Sequence, residues 1–105
     1  MKELQRLEMY HEEIKKGISV VMFSADWCPD CRVIEPFLPE VEAKFSNMTF
    51  FYANRDEFID LCAQLDVFGI PSFLVYRDGE EIARFVSKDR KTQEEIEQFL
   101  SSVSE

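Results

Sequence analysis

Apolar and polar positions follow several distinct rhythms along this chain. Leu4, Leu7, Tyr10 or His11, and Ile14 recur at helical spacing through a highly charged segment that closes at Gly17, which predicts an amphipathic helix over Lys2 to Lys16. His11 falls along the edge of that helix, in solvent. The next run, "ISVVMFSA", is β-branched and apolar throughout, the pattern of a central strand buried on both faces, and it predicts a strand from Ile18 to Ser24. A helical period then resumes at Val33, Ile34, Phe37, Leu38, Val41 and Phe45. Pro36 and Pro39 each remove a backbone donor, so the expectation is one kinked helix from Pro29 to about Phe45. These prolines formally spell P-x-x-P, but within an apolar helical period they shape a helix and do not form an open proline-rich ligand.

"MTFFYAN" reads as a second strand, and Phe58, Leu61, Cys62 and Leu65 form the stripe of a short helix. Strand, helix and strand in sequence imply a parallel, right-handed crossover. Asp78-Gly79 divides "PSFLVYRDGEEIARFVS" into two antiparallel strands. Thr92 and Glu95 are spaced as a capping box, after which Ile96, Phe99, Leu100 and Val103 share one face of a last helix. The run "SKDRK" ahead of that box reads as a solvated loop, with a position from which it selects acidic partners as the sharper alternative.

The chain has 105 residues, 46% of them hydrophobic, with ten phenylalanines, which matches one α/β domain with one core and no repeat or linker. Its formal net charge of −9 argues against nucleic acid or an anionic membrane surface as partner, since affinity for either rests on Lys and Arg. The amino-terminal segment lacks the apolar core of a signal peptide, and no stretch has the length to cross a bilayer. Three cysteines leave one unpaired in any intramolecular scheme, which fits the cytoplasm better than a secreted disulfide framework.

The chemistry concentrates in "SADWCPDC". Cys28 falls where an apolar strand stops and a helix begins, with Pro29 at the first helical position, where a missing N–H does no harm. Free N–H groups and the positive end of the peptide dipoles there favour a thiolate, the nucleophilic form in disulfide exchange. Lowering a thiol pKa from about 8.5 to about 7 raises the thiolate fraction at neutral pH roughly tenfold. Cys31, one turn further in, is placed to resolve a mixed disulfide formed at Cys28. Asp30 and Asp26 oppose the thiolate by like-charge repulsion, so they raise the Cys28 pKa relative to a neutral motif and make the couple more reducing.

A stapling disulfide or half of a zinc site is the blander reading of the pair. A structural zinc takes four ligands, and only Cys62 and His11 remain as candidates, neither with a paired partner nearby. Cys62 lies on an apolar stripe and reads as a small buried hydrophobe.

With "WCPDC" at a strand-to-helix junction and "GIPS" before a hairpin, the sequence from about Val20 to Leu100 resembles the thioredoxin superfamily. The resemblance implies a thioredoxin-like α/β fold and thiol-disulfide oxidoreductase activity without metal or organic cofactor. It implies a cis Pro71 facing the disulfide, a substrate segment paired with the backbone of Ile70, and a docking surface bordered by Trp27, Phe68 and Ile70. Pro36 matches the proline that kinks the family's active-site helix, and Gly79 its hairpin glycine. Disulfide-containing proteins are the implied substrates, with a flavin-dependent reductase or a low-molecular-weight thiol as electron donor. Three departures stand out. Met22 occupies the place of the family's buried aspartate, the proton acceptor for the resolving cysteine. Tyr52 occupies the place of the lysine beside it. The opening strand has little room ahead of Gly17, so a four-stranded mixed sheet is expected. The lost aspartate-lysine pair keeps open a reductase of small-thiol mixed disulfides, and the fold keeps open a non-catalytic docking module.

Overall fold

Why the chain folds as it does is clearest in β2 (Ile18–Ser24), whose side chains alternate between two apolar layers. Val21 and Phe23 face one, with Phe51, Ala53, Leu61, Leu74 and Tyr76. Val20 and Met22 face the other, with Ile34, Val41, Phe73, Val75, Ile96 and Leu100. A strand apolar on both faces has to lie at the centre of a sheet covered on both sides. The computed structural model, which describes residues 1–104, places it there in a sheet of order β1-β3-β2-β4-β5. β3 (Thr49–Asn54) runs parallel to β2, and β4 (Ser72–Arg77) and β5 (Glu80–Phe85) complete the sheet as an antiparallel hairpin.

The opening strand is present, contrary to the expectation of four strands. β1 (Lys2–Glu3) pairs parallel with β3, Lys2 opposite Phe51 and Glu3 opposite Tyr52, and the Leu4 N–H donates to the Tyr52 carbonyl at 2.8 Å. Two residues suffice because Leu4 anchors the strand from a fully buried position. Leu4 therefore leaves the predicted helix, and α1 is shortened to Leu7–Glu13, with Leu7 exposed and Tyr10 buried. Strand pairing captured residues that helical spacing had claimed.

The kinked helix resolves into three pieces: α2 (Pro29–Ile34), a 3₁₀ turn (Glu35–Phe37) and α3 (Leu38–Lys44). Pro36 lies inside the turn, where its missing donor breaks the α-helical ladder. α4 (Ile59–Gln64) covers one face of the sheet, and α5 (Gln93–Ser104) covers the other with α2 and α3. The capping box closes as its spacing predicts: the Thr92 N–H donates to Glu95 Oε1 at 3.0 Å and the Glu95 N–H to Thr92 Oγ1 at 3.1 Å. Asp78 and Gly79 both take positive φ, 51° and 92°, the backbone of a tight hairpin turn.

The α1 side of the core holds a buried polar contact, the hydroxyls of Tyr10 and Tyr76 at 2.5 Å. Burial pushes the pKa of both phenols up, and Tyr76 goes further because it shares its hydroxyl with Tyr10. Tyr76→Phe should cost about 1–2 kcal/mol in urea unfolding by leaving the Tyr10 hydroxyl unpaired, and adding Tyr10→Phe should recover most of that loss. The unfolded phenols ionise near pH 10 (about the ordinary value) while the folded ones stay protonated. Above that pH the unfolded state binds fewer protons, so stability should fall with rising pH, and less steeply in the double variant.

Candidate active site

Two segments converge on the two sulfurs, and a third rests on both of them. β2 ends at Ser24, the chain turns through Ala25 to Trp27, and Cys28 becomes the N-cap of α2 with Pro29 behind it. Its φ of −88° and ψ of 111° are extended, as an N-cap requires, and its Sγ accepts the Cys31 N–H at 3.2 Å. Cys28 and Cys31 are joined as a disulfide with Cα atoms 5.3 Å apart. Cys28 is 4% exposed, whereas Cys31 is fully buried.

The second segment is the loop before β4. Its Ile70–Pro71 peptide is cis, and the Ile70 carbonyl oxygen lies 3.8 Å from Cys28 Sγ. Ala25 and Ile70 pack with the two cysteines in a small apolar cluster. Trp27 and Phe68 are exposed by 59% and 77% and Ile70 is half-buried, and Phe68 lines a small cavity with Arg55, Ile59, Cys62 and Val67. Trp27 is fixed by its Nε1, which donates to Asp56 Oδ2 at 2.8 Å.

Loop 87–91 is the third segment: Lys88, Asp89 and Arg90 are exposed, as the solvated reading of "SKDRK" expects, and Lys91 departs from it. Lys91 is 2% exposed, its ammonium donating to the Ser87 carbonyl, Ser87 Oγ and the Asp89 carbonyl at 3.1–3.2 Å and standing 5.1 Å from the Phe85 ring centre. Burial pushes its pKa down. Two carbonyls, a hydroxyl and an aromatic face replace the water that a lysine normally demands. One edge of the loop lies on Gly69, where a Cβ atom would fall 2.3 Å from the Ser87 carbonyl oxygen. At the other edge Arg90 Nε donates to Asp30 Oδ1 at 2.9 Å.

Of the motif acids, Asp30 is thus paired, while Asp26 is exposed and offers its carbonyl to Arg32 Nε at 2.7 Å. Met22 and Tyr52 are register partners on β2 and β3, and with Glu35 and Leu38 they line part of an open cavity of about 310 Å³. Burial, then the nearby Asp26, raises the Tyr52 pKa. Cys62 is buried and free, with its pKa raised by burial, and His11 is exposed against the edge of Tyr10. Asp56, Arg90 and Lys91 carry no local signature that marks them for the site. Each reaches it through a contact spanning a turn or a long separation in sequence, although the polar loop directly before a capping box was a visible place to look.

A disulfide-bonded cysteine pair at a strand-to-helix junction, facing a cis X-Pro peptide in a mixed sheet, defines a thiol-disulfide oxidoreductase of the thioredoxin type. The family model for thioredoxin matches residues 2–102, and the chain belongs to that family. It is 33% identical over 94 residues to a thioredoxin of Alternaria alternata, covering 88% of this chain and 80% of the relative. With the H-type thioredoxin of Fagopyrum esculentum it shares 37% identity over 85 residues, or 76% and 73% of the two chains. The fold matches the crystal structure of poplar thioredoxin h with a TM-score of 0.85 at 21% identity, over 99% of this chain and 96% of that one.

Gly69→Ala tests how closely the second and third segments depend on each other. The added methyl has to displace the backbone at Ser87 and Lys88, so a loss of about 1–3 kcal/mol is expected in thermal or urea unfolding. An unchanged melting temperature would mean that the loop does not rest on Gly69.

Proposed function

We propose that this protein reduces disulfides by a two-thiol relay through Cys28 and Cys31. The observation that carries the reading is the position of Cys28: a helix N-cap, more open than its partner sulfur and beside the Ile70 carbonyl. In the dithiol form the Cys28 thiolate attacks one sulfur of a substrate disulfide, forms the mixed disulfide and expels the first substrate thiolate. Cys31, once deprotonated, attacks the Cys28 sulfur and expels the second. The substrate gains two electrons and two protons, and the protein is left with the Cys28–Cys31 disulfide. A low-molecular-weight thiol or a flavin-dependent reductase returns two electrons to it.

The apolar border of Trp27, Phe68 and Ile70 suits an extended protein segment around the scissile disulfide, with Pro71 behind it. Pro29 sets the first turn of the helix, and Asp26 and Asp30 tune the thiolate. The cytoplasm is the compartment that suits a chain whose third cysteine, Cys62, stays reduced and buried. Among the described residues no helix is long and apolar enough to cross a membrane.

In an insulin-type reduction assay the wild-type protein should act above the thiol background and Cys28→Ser should not. Cys31→Ser should accumulate the mixed disulfide, visible by mass spectrometry. Equal inactivity of wild type and Cys28→Ser would point to a docking module, whereas activity confined to a glutathione-type mixed disulfide would move the substrate from proteins to small thiols.

The release step has its own test. Met22 supplies no proton acceptor behind Cys31, so water or a motif carboxylate has to take the proton. Met22→Asp should therefore speed release of a trapped substrate, read in single-turnover quenching, by about tenfold or more. Equal rates would show that proton removal from Cys31 does not limit resolution.

A further inference from the structure

The cysteine motif and loop 87–91 are 60 residues apart in sequence, yet Arg90 Nε and Asp30 Oδ1 meet at 2.9 Å. The Arg90 side chain is 62% exposed, but the loop that carries it is held at two points. Lys91, next to Arg90, is locked by three hydrogen bonds inside the loop, and the start of the loop is wedged against Gly69. Asp30 sits on the first turn of α2, two residues after the cysteine whose charge matters. A cation is therefore brought by this loop to a carboxylate of the cysteine motif itself, two residues from Cys28.

We infer that Arg90 is a positioning residue for the disulfide exchange: held on Asp30 by the Lys91-braced loop, it cancels that carboxylate's repulsion and sustains the Cys28 thiolate. This rests on the proposed reductase reading. The elements that meet at Cys28 carry other charges as well. Asp26 precedes the motif, and Asp56 stands on the Trp27 indole with Arg55 Nη1 3.5 Å from its carboxylate. Arg32 lies on α2, and Lys88, Asp89 and Lys91 lie on the loop. Arg90 is set apart because its guanidinium is fixed on the motif's own acid. It remains partly exposed, so its influence is that of a screened charge. Two unit charges about 7 Å apart in a water-like medium alter an equilibrium about threefold, which sets the size of effect to seek.

The test is the pH profile of iodoacetamide alkylation of Cys28 in the reduced full-length protein. Arg90→Ala should lower the rate at pH 7 by about two- to threefold and move the profile to higher pH. Arg90→Lys should restore most of it. Asp30→Asn should move the profile to lower pH, and Arg90→Ala added to Asp30→Asn should change little, because the carboxylate that places the cation has gone. At about 1 M salt the difference between Arg90→Ala and wild type should shrink. An Arg90→Ala profile that superimposes on wild type overturns the inference. So does an equal shift with and without Asp30, which would make Arg90 a free charge. If wild type still reduces insulin and Cys28→Ser does not, either result removes only the role of Arg90. Loss of activity in the wild type itself would remove the reductase reading first.

Discussion

One hydrogen bond organises the site: the Cys31 N–H points at Cys28 Sγ across the first turn of α2, 3.2 Å away. It exists because β2 ends in extended backbone, Cys28 takes the N-cap conformation and Pro29 begins the helix without needing a donor. When Cys28 carries a negative charge, that N–H is the nearest group able to stabilise it. α2 is only six residues long before the 3₁₀ turn at Pro36, so a long helical dipole is not what acts here. Helix-terminus effects decay within about one turn, and a short helix capped by the reacting sulfur is enough.

Around that bond the structure divides its labour between burial and charge. Ala25, Cys28 and Ile70 pack around Cys31, the fully buried cysteine of the pair. Further out, side chains are held by polar contacts: Trp27 on Asp56, Asp30 in an ion pair with Arg90, and Lys91 inside its own loop. Met22 and Tyr52 stand side by side on neighbouring strands and line an open cavity with Glu35, whose carboxylate adds to the upward push on the Tyr52 pKa.

Much of this was legible in the residues because local rules and the fold agree. "ISVVMFSA" could be buried on both faces only as a central strand, Asp78-Gly79 could close only a tight hairpin, and Thr92 with Glu95 could cap only a helix. The misreadings share one physical cause. Leu4 fits a helical stripe equally well, but two hydrogen-bonded residues at the edge of β3 outweigh that spacing. Lys91 looks solvated in sequence because nothing adjacent reveals that two carbonyls and a phenyl ring will surround it. The Asp30–Arg90 pair is likewise invisible, since only the folded chain brings the two together.

Everything chemical here depends on the outer cysteine being the ionised, reachable one while the inner stays protonated. Differential labelling of the reduced protein across pH, with each cysteine quantified by peptide mass spectrometry, addresses that directly. The account predicts that the Cys28 peptide is labelled with a midpoint clearly below that of an ordinary thiol, about 8.5. The Cys31 and Cys62 peptides should stay largely unlabelled over the same range. Labelling of Cys31 ahead of Cys28, or a Cys28 that resists the reagent at every pH at which the protein stays folded, would contradict it.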